Sequence, residues 1–251
     1  MTAVWLLLAA PFIGSFLGVL VRRLPAGKDW MRARSSCETC SHPLGPADLV
    51  PLASFLVLRG RCRHCGAPIS RFHPAIELAA LAVCVSAVAV GGSADALAAE
   101  CVLGWGLLAL AWIDAETFYL PDLLTLPLLL AGLGDALWRA PELLAPRAAG
   151  ALAGWFGLLA LAALYRRLRG REGIGGGDAK LLGVGGAWLG WQALPWVLLL
   201  AALLGLGWAG LQAARGRRLD AATALPFGPP LALAIWLLLL QAALTGRLEG
   251  I

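Results

Sequence analysis

The sequence predicts an all-α polytopic membrane protein of about eight transmembrane helices, with a small zinc-knuckle domain between the first two. Three observations carry that expectation. Of 251 residues, 60% are hydrophobic and only 14% charged, and the mean hydropathy is +0.78. A soluble domain carries about 25% charged residues and would expose large apolar patches at this composition. Apolar runs recur at about 3–21, 75–91, 96–113, 121–138, 148–165, 179–191, 194–214 and 226–245. Most approach the ~20 residues that cover a ~30 Å hydrocarbon core. The one long polar stretch, Arg22 to about Pro74, holds four of the six cysteines. Such a chain is not a soluble enzyme, a secreted disulfide scaffold or a disordered regulator.

The first run, Ala3 to Val21, has no basic residues ahead of it and is too long for a signal-peptide core. It is expected to be an uncleaved helix. The chain then divides into that helix (1–21), a cytoplasmic domain (22–74) and a seven-helix membrane domain (75–251). The Gly-rich run at 179–191 is short, and it is read with 194–214 as two spans rather than one broken span.

Orientation follows from Lys and Arg. The first loop holds Arg22, Arg23, Lys28, Arg32, Arg34, Arg59, Arg61, Arg63 and Arg71. A second basic loop holds Arg166, Arg167, Arg169, Arg171 and Lys180, and a third holds Arg215, Arg217 and Arg218. Eight spans put all of these on one side and leave Arg139, Arg147 and Arg247 on the other. A seven-span count would move the third loop across and weaken the asymmetry. The first loop is therefore expected in the cytoplasm and both termini outside. The net charge of +5 reflects this loop bias and not a nucleic-acid surface.

Cys37-Glu-Thr-Cys40 and Cys62-Arg-His-Cys65 form a C-x2-C…C-x2-C pattern with 21 residues between the pairs. Two thiolates from each of two tight turns complete a tetrahedron around Zn²⁺. The halves echo each other, Pro43-Leu44 following the first pair as Pro68-Ile69 follows the second. Four Cys ligands close the site, so the zinc is expected to be structural; catalytic zinc keeps an open position. A reducing cytoplasm disfavours disulfides. His42, His64 and His73 are read as loop residues, and Cys84 and Cys101 as small buried residues within spans.

Two acids stand at the ends of apolar runs: Asp114 after Leu107–Ile113, and Asp178 in Gly173-Ile-Gly-Gly-Gly177-Asp178-Ala-Lys180. The eight-span topology puts both at the cytoplasmic face, Asp114 closing one helix and Asp178 opening another. An acid at depth costs about 2.5–3.5 kcal/mol on insertion scales. Two carboxylates brought close cannot both ionise readily, so a pair shares a proton and can act as base and acid in peptide hydrolysis. The plainer reading is capping: an acid at a helix N-terminus is favoured by the dipole. Asp122, after Pro121, fits that role, and Gly-rich helices also permit tight packing.

Together these residues resemble the type IV prepilin peptidases, bifunctional leader peptidase/N-methyltransferases of type IV pilus and type II secretion systems. The resemblance covers nearly the whole chain: Gly14 to Pro25, the paired knuckles, Leu58 to Ser70 leading into Glu77-Leu78, Ile113-Asp114, Leu120-Pro121-Asp122, Gly175 to Leu182, and Pro226-Phe-Gly-Pro229. It implies a GxGD-type aspartyl protease of a bacterial inner membrane, with Asp114 and Asp178 catalytic. The implied substrates are prepilins or pseudopilins, cut after Gly on the cytoplasmic side to release a basic leader. The new N-terminus would then be methylated with S-adenosylmethionine, for which Asp48 and Glu77 are the candidate contacts. Glu77 also reads as a helix-entry acid. Two positions depart from the family pattern: Gly18 where Asn is frequent, and Phe55 where Trp is. Both lie in the region linked to methylation, so a peptidase without methyltransferase activity is an alternative.

Trp105, Trp112, Trp188, Trp191 and Trp196 are expected as interfacial anchors, and Arg166–Arg171 as a topology signal with a second role against lipid head groups. The rival from another class is a non-catalytic scaffold whose zinc module docks a cytoplasmic partner. A transporter would call for acids near the midplane and a two-fold repeat, and no repeat is seen beyond the knuckles.

Overall fold

The computed structural model describes residues 1–170, 175–216 and 225–246. Arg171, Arg217, Arg218 and Arg247, invoked above for topology, and the Gly173-Ile174 start of the glycine motif lie outside the described residues. Nine α-helices are described: α1 (Thr2–Arg23), α2 (Ala53–Val57), α3 (Phe72–Val90), α4 (Ala94–Thr117), α5 (Asp122–Arg139), α6 (Leu144–Arg169), α7 (Gly176–Leu189), α8 (Leu194–Ala214) and α9 (Gly228–Leu244). No sheet forms among the described residues; two isolated β-bridges, Ser36–Pro43 and Arg61–Pro68, sit in the polar loop.

Each apolar run of the sequence becomes one helix. Among the described residues, five stretches are long and apolar enough to cross a membrane: Thr2–Arg23, Phe72–Val90, Ala94–Thr117, Pro141–Arg169 and Trp191–Ala214; Gly228–Leu244 is a shorter apolar helix. α5 carries Asp122, Asp135 and Arg139 among its 18 residues, which dilutes its hydropathy. α7 has 14 residues, about 21 Å at 1.5 Å per residue.

The chain divides into two compact units, Met1–Ala109 and Leu110–Ile251. In the first, α1 lies backbone-close to α3: a Cβ on Gly14 would stand 2.7 Å from Glu77 Cα. Trp105 there donates its indole N–H to the Ala80 carbonyl at 2.9 Å, spending its polar atom inside the packing. In the second, α7 is the most enclosed element, burying Ala179 and every residue from Leu181 to Trp188. Small residues allow this, as membrane helix interfaces require. A Cβ on Gly150 would come within 2.6 Å of the Gly186 carbonyl oxygen, and one on Gly154 within 2.7 Å of that of Leu182. Trp188 fills the opposite flank, its indole N–H bonded to the Leu128 carbonyl at 2.9 Å.

Candidate functional site

The polar loop folds as twin knuckles that match position by position. Cys37 N–H donates to the His42 carbonyl at 2.9 Å, as Cys62 N–H does to that of Ala67 at 2.8 Å. Ser41 and Gly66 N–H groups return to the Cys37 and Cys62 carbonyls at 2.9 and 3.0 Å. Both turns need a left-handed residue, supplied by Ser41 (φ 57°) and Gly66 (φ 71°). The result gathers the sulfurs of Cys37, Cys40, Cys62 and Cys65 within 4.8 Å of one another. Cys37 and Cys65 Sγ are 3.9 Å apart, close to the roughly 3.8 Å edge of a tetrahedron with Zn–S bonds of 2.3 Å. The donor set and its size fit Zn²⁺.

The thiols share their protons unequally. Backbone N–H groups of Cys40 and Thr39 hold the Cys37 thiol down at about 6. The Ala67 N–H pulls Cys65 down too, but desolvation and the three neighbouring sulfurs push it up to about 11. Four thiolates so close need a cation before all can ionise. His42 and His64 lie beside the cluster with ring centroids 3.6 Å apart. His73, expected in the loop, lies instead in the first turn of α3.

A cavity of about 690 Å³ opens in the same unit, and Ser15, Gly18, Asp48, Phe55 and Glu77 are among its walls. It therefore unites both methyl-donor candidates with both positions that depart from the family pattern. Glu77 is only 7% exposed. Rather than marking the helix entry, it sits in the second turn of α3 and accepts the Leu52 N–H at 2.8 Å and the Ser15 hydroxyl. That bond holds Leu52 at φ 59°, a left-handed conformation unusual for Leu. Asp48 accepts from Arg63 Nε at 2.8 Å and Gly45 N–H at 3.2 Å; Arg63 first and Gly45 second hold its carboxyl below the usual range.

The second unit contains the two acids, and Asp114 and Asp178 line one cavity of about 400 Å³. Asp114 stands within the last turn of α4, 5% exposed. Its Oδ2 accepts the Gly228 N–H, at the start of α9, at 2.8 Å. Only glycine permits that approach, since a Cβ there would lie 2.6 Å from Oδ2. Asp178 occupies the third position of α7 and accepts the N–H of Gly175, the residue that caps the helix. That contact occupies only part of the carboxylate's acceptor capacity. Gly177 is also obligatory, a Cβ there meeting Leu120 Cβ at 2.9 Å, whereas one on Gly176 would meet nothing within 4 Å. Among the described residues neither Asp114 nor Asp178 has an ion-pair partner.

Three contributors escaped the sequence. Gly228 belonged to a noted motif, but nothing in it named Asp114 as partner. Asp122, expected as a cap, forms an ion pair with Lys180 across the start of α5 and α7. Asp135 is held by Arg139 at 2.6 Å and Arg147 at 2.9 Å; its spacing to Arg139, four residues on, was the available signal.

Comparison with known proteins extends over both units. Residues 8–90 match the bacterial peptidase A24 N-terminal domain, and residues 101–210 the type IV leader peptidase family. A prepilin leader peptidase/N-methyltransferase of Burkholderia pseudomallei (strain 1026b) is 43% identical over 245 residues, covering 88% of this chain and 79% of the relative. One from Aeromonas hydrophila is 40% identical over 252 residues (91% and 87%). Another, from Pseudomonas aeruginosa, is 36% identical over 251 residues (91% and 86%). No solved structure matches the chain. Likeness at this level through both units makes the chain a member of the type IV leader peptidase family.

Proposed function

We propose that this chain is an aspartyl endopeptidase that removes the leader of prepilins and pseudopilins after Gly, and then methylates the new N-terminus with S-adenosylmethionine. The carrying observation is that Asp114 and Asp178, 64 positions apart in sequence, line one cavity. One carboxylate takes a proton from water as that water attacks the scissile carbonyl carbon; the protonated partner donates to the carbonyl oxygen. From the tetrahedral diol, a proton passes to the amide nitrogen, the C–N bond breaks and the carboxylate product forms. The pair titrates as a unit, and neither acid owns the base role. Gly228 and Gly175 N–H groups orient the two carboxylates.

Cys37, Cys40, Cys62 and Cys65 would hold Zn²⁺, which supplies a cross-link between the knuckles and leaves no position open for substrate. The methyl donor supplies a sulfonium methyl to the amine lone pair. The 690 Å³ cavity falls within the 300–1,000 Å³ of small-molecule sites; of its two candidate acids, Asp48 is already paired with Arg63, and Glu77 is the one that suits a cationic ligand. The basic-loop asymmetry supports eight spans in a bacterial inner membrane, with the zinc domain (22–74), the membrane domain (75–251) and the acid cavity all served from the cytoplasm.

The test is incubation of purified protein and S-adenosylmethionine with a prepilin carrying a Gly-Phe junction, followed by mass measurement of the product N-terminus. Leader loss plus one methyl group is expected. An uncut prepilin overturns the proposal, and a cut but unmethylated one reduces it to the peptidase.

A further inference from the structure

The acid cavity has a second half that hydrolysis itself does not use. Phe118 and Tyr119, from the connection between α4 and α5, and Trp155, from α6, line it together with Asp114 and Asp178. The connection is anchored at both ends. Phe118 donates its N–H to the Asp114 carbonyl at 2.9 Å and stands at φ 53°. Leu120 is 6% exposed and seats in the notch left by Gly177. Asp122 is then tied to Lys180 of α7. Between these anchors the rings of Phe118 and Tyr119 stay out of the packing, 58% and 49% exposed. Trp155 is backed by α7, where a Cβ on Gly183 would meet its Cβ at 3.2 Å.

Aromatic side chains near a membrane edge commonly anchor at the interface. Trp138 and Trp196 fit that description, 82% and 63% exposed and outside this cavity. Phe118, Tyr119 and Trp155 differ in sharing a concave site with two acids. A peptide entering it presents a polar backbone and a side chain, and the cavity offers acids for the first and rings for the second.

Resting on the peptidase reading, we infer that Trp155, Phe118 and Tyr119 form the subsite that receives an apolar side chain flanking the scissile bond, and that they set preference there. A substrate arriving from lipid gains little by leaving one apolar medium for another, so the subsite acts by shape. Its discrimination belongs near the lower end of the 10- to 200-fold that a hydrophobic pocket supplies.

The test compares prepilins with Phe, Leu or Ala directly after the cut, on the full-length protein and on Trp155→Ala, Trp155→Phe and Tyr119→Ala. The unmodified protein should prefer Phe over Ala about ten-fold in kcat/KM. Trp155→Ala and Tyr119→Ala should lose most of that preference, mainly through KM, with the Phe prepilin losing several-fold more than the Ala prepilin; Trp155→Phe should retain it. Equal losses on every prepilin, or no loss, overturn the subsite. So does an unmodified protein that cuts all three alike, a result that stands even if the alanine variants fail to fold. An unmodified protein that cuts none overturns the peptidase reading itself.

Discussion

The unit Leu110–Ile251 buries two aspartates in its helices and treats them in opposite ways. Asp135 is enclosed by cations: Arg139 reaches it at 2.6 Å and Arg147, itself 5% exposed, at 2.9 Å. Asp114 is as deeply placed but, among the described residues, is answered by a neutral peptide dipole, the Gly228 N–H. A buried acid closed by arginines is a strut between helices, since its charge is already spent. An acid met by a dipole and facing a cavity keeps its proton chemistry for something else. Burial alone therefore does not separate the two; what surrounds the carboxylate does.

The sharpest break in that comparison is chemical. Asp114→Asn or Asp178→Asn should lower prepilin cleavage about a thousand-fold or more, with thermal stability in detergent close to that of the parent. Retained cleavage in both variants would remove the distinction. Asp135→Asn or Arg147→Met should do the reverse, costing about 3–5 kcal/mol of stability while leaving kcat/KM per folded molecule unchanged. Replacing both by Leu should recover much of the loss, as pairs removed together often do. Gly228→Ala sharpens the contrast, because its Cβ would push on Asp114 Oδ2 from 2.6 Å. Displacing that carboxylate should cost about a hundred-fold in cleavage, against a modest drop in melting temperature.

Smaller effects belong to the other unit. Cys62→Ser should abolish stoichiometric zinc by metal analysis and open residues 35–70 to proteolysis, with cleavage falling less than in the aspartate variants. The smallest involves Asp48, whose folded carboxyl lies below its ordinary value because of Arg63 and Gly45. A depressed acid stabilises above its unfolded pKa of about 3.9 and loses that contribution as pH falls through the folded value. Proteolytic protection of the knuckles should thus differ between Asp48→Asn and the parent at neutral pH and converge in acid.

How much was legible beforehand depended on distance along the chain. The knuckles were, because their spacing, their echo and their turn residues all lie within a few positions of the cysteines. The helices were too, since an apolar run of sufficient length allows little else. The partnership of Asp114 with Gly228 was not, because it joins residues 114 positions apart. Nor could the glycines of α7 be told apart from sequence. Gly177 is required by Leu120 while Gly176 faces open space, a difference written in a neighbouring segment. Glu77 read as a helix-entry acid because its hydrogen-bond donors, Leu52 and Ser15, come from elsewhere in the unit.

The brevity of α7 has a consequence for hydrolysis. At about 21 Å it falls roughly 9 Å short of the ~30 Å that hydrocarbon occupies, whichever end is brought level with the head groups. The missing length has to be made up by a thinner bilayer or by water at one end, and at the Asp178 end Gly176, where a Cβ would meet nothing within 4 Å, leaves room for water to approach.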